Sequence, residues 1–122
     1  MARLLVVDDD PAQTKVWRLL LEASGHEVET AETLPHAFEQ LTGFEPDVLI
    51  LDLRLPELAD GLELIGRAAT LGCTRVVVMS GWPRDLEGRP EAGLVSRILV
   101  KPVRPPTLLR TIVELTTRTA AG

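Results

Sequence analysis

Asp8 and Asp9, Asp52, Ser80 and Lys101 each follow directly on a short apolar run, at residues 4–7, 47–51, 75–79 and 98–100. If those runs lie side by side and point the same way, the five polar side chains share one edge. Three carboxylates brought together repel one another and raise each other's pKa. A divalent cation and a lysine ammonium offset that repulsion. Oxygen donors without His or Cys favour Mg²⁺, which keeps several waters in an octahedral shell. Such a set supplies the parts of phosphoryl transfer: a carboxylate nucleophile, cations that neutralise charge, and a hydroxyl with a backbone N–H for the remaining oxygens. Asp52 is the natural nucleophile, standing alone at the end of the most apolar run. Taken singly, each residue has a plainer reading: Asp8 to Asp10 as a helix cap, Ser80-Gly81 as a turn, Lys101 as a surface charge. The argument rests on their joint placement after four separate runs.

The elements that must position them alternate. The run at 4–7 reads as a buried strand. Asp10-Pro11 starts a helix, with Asp10 as N-cap and Pro11 in the first turn. Val16, Leu19, Leu20 and Ala23 follow at i, i+3, i+4 and i+7, which predicts the buried face, and Gly25 ends the helix. Residues 27–31 form a second strand and 34–41 a short helix closed by Gly43. Residues 47–51 form the best central strand, followed by a loop through Pro56 and Asp60-Gly61. Leu62, Ile65 and Ala69 mark a third helix ending near Gly72. After the strand at 75–79, residues 84–96 are ambiguous, because Gly88, Pro90 and Gly93 all break helices. Leu108, Leu109, Ile112, Val113 and Leu115 line a last amphipathic helix. Repeated βαβ predicts a parallel sheet with helices on both faces and a site beyond the carboxyl ends of its strands.

The 122 residues are enough for one domain and one core. Apolar residues make up 45%, almost all aliphatic, which suits a helix-covered parallel sheet. A net charge of −5 argues against direct nucleic-acid binding. No apolar run has the length a bilayer requires, and no signal peptide is evident, so the expectation is a cytoplasmic domain without a membrane partner. Cys73, the single cysteine, forms neither an internal disulfide nor a thiolate metal site. His26 and His36 lack metal-ligand spacing and read as structural or surface residues, and Trp17 as a partly buried helix residue.

The motifs Val6-Val7-Asp8-Asp9-Asp10, Asp47-Val48-Leu49-Ile50-Leu51-Asp52, Leu55-Pro56, Asp60-Gly61-Leu62-Glu63-Leu64, Met79-Ser80-Gly81 and Lys101-Pro102 occur in order. From Leu4 to about Leu115 the chain resembles the receiver domain of bacterial response regulators. The resemblance implies a flavodoxin-like (βα)5 three-layer sandwich with a five-stranded parallel sheet in the order 2-1-3-4-5. It implies Asp52 as phosphoacceptor, with Mg²⁺ bound by Asp9, by Asp52 and by the backbone carbonyl of Arg54, and by Asp8 through water. Ser80 and Lys101 would contact the phosphoryl oxygens, and Lys101-Pro102 would be cis. The implied partner is a sensor histidine kinase or a histidine phosphotransfer protein. Catalysis is limited to the domain's own phosphorylation and dephosphorylation. The reading is one receiver domain over residues 1–122, without an output domain.

The sequence also departs from that family. Ile98 stands where an aromatic ring normally couples to the movement of the switch hydroxyl. Gly88, Pro90 and Gly93 predict a short, broken or mobile segment in place of the fourth helix. Arg54 and Trp82 occupy the two positions that tune phosphoryl lifetime in the family, and a cation beside a bulky ring predicts slow autodephosphorylation. Trp82 serves there as a shield or partner contact, or it only packs. These departures keep open a phosphorylation-independent pseudo-receiver that only binds protein. A haloacid-dehalogenase-type phosphatase is disfavoured, because Arg54 stands where its second aspartate would be.

Overall fold

The computed structural model describes residues 1–117; residues 118–122 of the expected single domain lie outside it. Five strands, β1 (Arg3–Val7), β2 (Glu27–Ala31), β3 (Val48–Asp52), β4 (Val76–Ser80) and β5 (Arg97–Val100), form one sheet in the order β2-β1-β3-β4-β5. Every pairing is parallel, with Val7 beside Ala31 and Leu51, Asp52 beside Met79, and Ser80 beside Val100. The order reverses at β1, which places the crevice at the carboxyl ends of β1 and β3. The expected flavodoxin-like architecture is therefore present.

Four α-helices cover the sheet: α1 (Pro11–Ala23), α2 (Leu34–Gly43), α3 (Leu58–Thr70) and α4 (Pro105–Thr116). Alternate strand residues divide the core into two layers. Leu5, Val7, Leu49, Leu51, Val76 and Val78 pack against α2 and α3. Leu4, Val6, Val48, Ile50, Val77 and Met79 pack against α1 and α4. The central strands are buried on both faces, which explains their unbroken aliphatic runs.

Three expectations need correction. On α1 the buried residues are Thr14, Trp17 and Leu21, whereas Val16 and Leu19 are 50% and 61% exposed and Ala23 is exposed as well. The helix is rotated so that the Trp17 indole, with more apolar area than the aliphatic side chains it displaces, joins Leu4, Val6 and Ile50 in the core. On α4, Leu108, Thr111 and Ile112 are buried and Val113 is exposed. The Asp60-Gly61 pair lies in the first turn of α3, not in a loop, because the Asp60 carboxylate accepts the Glu57 N–H at 3.2 Å and begins the helix earlier. A Cβ on Gly61 would sit 1.8 Å from the Leu53 carbonyl oxygen, so glycine lets α3 approach the loop after β3.

The fourth βα unit carries no α-helix, so the (βα)5 pattern is incomplete there. Residues between β4 and β5 form two 3₁₀ turns, Pro83–Leu86 and Pro90–Leu94, as the helix breakers predicted. Leu86 anchors this segment in the α2–α3 layer. Ile98 lies in register with Val78 and so faces that layer, yet Ile98 and Val100 remain 40% and 56% exposed, since no helix covers them.

Candidate functional site

Parallel strands of nearly equal length bring their carboxyl ends to one rim. Asp8 and Asp9 follow β1, Asp52 ends β3, Ser80 ends β4 and Lys101 follows β5. The structure thus brings Asp8, Asp9, Asp52 and Lys101 into one cluster, with Ser80 at the end of the neighbouring strand on the same rim. Carboxylate oxygens of Asp8, Asp9 and Asp52 lie within 4.8 Å of one another. Lys101 Nζ donates to Asp52 Oδ2 at 2.6 Å, and the Arg54 N–H donates to Asp52 Oδ1 at 3.2 Å. Asp52 therefore sits between one cation and two other acids, with its side chain 16% exposed.

The acidic turn is ordered locally. Asp8 is buried, its N–H donates to the Ala31 carbonyl, and its Oδ1 accepts the Asp10 N–H at 2.9 Å. Asp10 caps α1, accepting the Ala12 N–H at 3.0 Å, so the third acid is the cap the sequence predicted. Burial pushes the Asp8 carboxyl up to about 6; the Asp10 N–H opposes this, the Asp52 charge adds to it, Lys101 opposes it and Asp9 adds again. A buried acid beside two others is a place where charge needs a counter-cation.

A cavity of about 580 Å³ opens beside these groups, lined by Asp8, Asp9, Asp52 and Lys101 together with Gln13 and Trp17. Gln13 and Trp17 were not foreseen as site residues; the wrong phase assigned to α1 hid them. Ser80 is buried at the end of β4, and its Oγ accepts the Trp82 N–H at 2.9 Å. Lys101-Pro102 is cis, as expected, and Leu55-Pro56 is also cis. Trp82 is 58% exposed and does not line the cavity; the Arg54 guanidinium carbon lies 4.1 Å from its ring centroid. Arg54 turns its side chain outward to Asp85, while its backbone stays at Asp52. Ile98 lies on β5 and is partly exposed. Of the two histidines, His26 is structural, its Nδ1 accepting the Ala2 N–H at 3.1 Å, and His36 is a surface residue that meets Gln40 on α2.

The family model for the response regulator receiver domain matches residues 4–113. The chain is a response regulator receiver domain. This receiver is 37% identical over 115 residues to an uncharacterized 14.6 kDa protein of Leptolyngbya boryana, covering 89% of this chain and 86% of that one. It is 36% identical over 80 residues to the KDP operon transcriptional regulatory protein KdpE of Escherichia coli, covering 66% of this chain and 35% of KdpE. The receiver spans about a quarter to two-fifths of the length of the transcriptional regulators it matches. Among solved structures, the receiver domain of a Bermanella marisrubri response regulator is 31% identical with a TM-score of 0.80, covering 94% of this chain and 98% of that one. The Thermotoga maritima response regulator TrrA, in complex with Mg²⁺-BeF, is 24% identical with a TM-score of 0.81, covering 94% of this chain and 99% of that one, a likeness of fold. The receiver thus belongs to two-component signalling.

Proposed function

We propose that this receiver accepts a phosphoryl group on Asp52 from a phosphohistidine of a sensor kinase or phosphotransfer protein. The observation that carries the reading is the convergence of Asp8, Asp9 and Asp52 in one cavity with Lys101 Nζ 2.6 Å from Asp52. The donor set is all hard oxygen and fits Mg²⁺; Asp9, Asp52 and the Arg54 carbonyl would hold it, with Asp8 acting through water. Bound there, Mg²⁺ would supply charge neutralisation for the acceptor and the incoming phosphoryl oxygens.

The chain's own residues account for the rest. An Asp52 carboxylate oxygen attacks phosphorus, the P–N bond breaks, and the leaving imidazole keeps the electron pair and takes up a proton. Lys101 pairs with a phosphoryl oxygen. Ser80 Oγ accepts the Trp82 N–H, which leaves its own O–H proton free to donate to another. Arg54 over Trp82 supports slow loss of the phosphoryl group by hindering water. The domain in this reading catalyses only its own phosphorylation and dephosphorylation, works in the cytoplasm, and passes the signal on by changing shape for an output partner. Among the described residues no helix is long and apolar enough to cross a membrane.

Incubation with a small phosphodonor and Mg²⁺, read by intact mass, tests the reading. One phosphoryl adduct is expected on the parent chain and none on Asp52→Asn. The missing fourth helix and Ile98 favour a second reading, a receiver that binds its partner without phosphorylation; an unlabelled parent chain would support it.

A further inference from the structure

Arg54 stands two residues beyond Asp52 and its backbone N–H reaches the Asp52 carboxylate, yet its guanidinium is directed elsewhere. Its Nε donates to Asp85 Oδ2 at 3.1 Å and its Nη2 to Asp85 Oδ1 at 3.3 Å, a two-pronged pair. Such pairing fixes the plane of the guanidinium as well as its position. The guanidinium so held lies over the Trp82 ring, its carbon 4.1 Å from the centroid. Asp85 is itself held: its N–H donates to the Trp82 carbonyl at 3.0 Å, its carbonyl accepts from Arg89 Nε at 2.7 Å, and the next residue, Leu86, is buried in the core. Its side chain is only 16% exposed, against 41% for Arg54. The contacts form a chain: Asp52 to the Arg54 N–H, Arg54 to Asp85 and Trp82, and the Trp82 N–H to Ser80 Oγ. Both groups that would touch the phosphoryl group are therefore tied to one stack, and the 3₁₀ turn that replaces the fourth helix supplies its anchor.

We infer that Asp85 is a positioning residue, which holds the Arg54 guanidinium over Trp82, next to the loop that carries the acceptor, and thereby sets how long the phosphoryl group on Asp52 lasts. The inference rests on the phosphoacceptor reading. In the reaction it slows, water attacks phosphorus, the P–O bond to Asp52 breaks, the carboxylate is regenerated, and inorganic phosphate leaves with the water's proton passed to solvent. Without Asp85 the guanidinium has no fixed plane, and water gains access.

The full chain is labelled with a small phosphodonor, freed of donor, and followed by intact mass as label is lost. Asp85→Asn should speed the loss about three- to tenfold, roughly what a partly exposed two-pronged ion pair would supply. Arg54→Ala should speed it similarly, and the double variant should be no faster than Arg54→Ala alone. Asp85→Glu should restore part of the lifetime. Acrylamide quenching gives a readout that does not depend on labelling: Trp82 is the exposed tryptophan and Trp17 the buried one, so Asp85→Asn should raise quenching. An unchanged lifetime in Asp85→Asn, an equal acceleration on top of Arg54→Ala, or unchanged quenching overturns the inference while leaving the phosphoacceptor reading intact. A parent chain that takes no label overturns both.

Discussion

Burial of the Asp8 carboxyl, with the Asp52 and Asp9 charges adding to it, favours its protonated form. Its folded pKa of about 6 lies above the ordinary 3.8, so the folded state holds its proton more tightly than the unfolded chain does. The stability associated with that proton is fully present below pH 3.8 and is lost as pH rises through 6. Asp8→Asn should therefore stabilise the metal-free protein by about 2–3 kcal/mol near pH 8, with the gain fading to nothing below pH 4. Urea unfolding of both proteins across that range checks it, and a gain independent of pH would reject it. The comparison cancels His26, whose pKa is lowered by burial and by the nearby N-terminal ammonium, so that its contribution is lost in the opposite direction, as pH falls. Asn at position 8 keeps an oxygen for the Asp10 N–H, which separates the charge effect from loss of the turn. The Lys101 ammonium, 2.6 Å from Asp52, lowers the Asp8 pKa, but burial outweighs it.

The element that most changes the picture is α1. Its apolar residues form two overlapping stripes, and the sheet selects the one that carries Trp17 and Leu21. Trp17→Ala should cost about 3–5 kcal/mol and open the wall of the acidic cavity, whereas Leu19→Ala should cost less than about 0.5 kcal/mol. Thermal or chemical unfolding of the two variants decides the phase of the helix: comparable losses would contradict it. The segment between β4 and β5 shows the opposite relation between sequence and structure. Its prolines and glycines forbid a long helix, and the two 3₁₀ turns that form leave Ile98 and Val100 without a cover. The same break frees Asp85 to reach Arg54, so a weakness in local structure becomes an anchor for the loop after β3.

For the whole molecule, a cation held by residues from β1 and β3 would stabilise the fold by binding only when those strands are paired. Millimolar Mg²⁺ should raise Tm at pH 7.5, Asp9→Asn should abolish most of the rise, and the rise should shrink toward pH 5 as Asp8 takes up its proton. Scanning calorimetry with and without the metal checks this; a rise unaffected by Asp9→Asn would place the ion elsewhere. The receiver's core supports such a site because it is rigid: β1, β3 and β4 are nearly solvent-free along their length, so their carboxyl ends hold fixed relative positions.

The sequence by itself determined the alternation of elements, the strands, the polar residue after each of them, the Asp10 cap and the break after Ser80, because each of these is written in local residue order: aliphatic runs, turn formers and helix breakers. It also carried the five site residues, since parallel strands joined by helices have one way to align their ends. Only tertiary structure decided which stripe of α1 faces inward, that Gln13 and Trp17 wall the cavity, and that Arg54 is held by Asp85, 31 positions further along. These depend on competition between surfaces and charges far apart in the chain, where a larger buried area or a nearer carboxylate outweighs any local pattern.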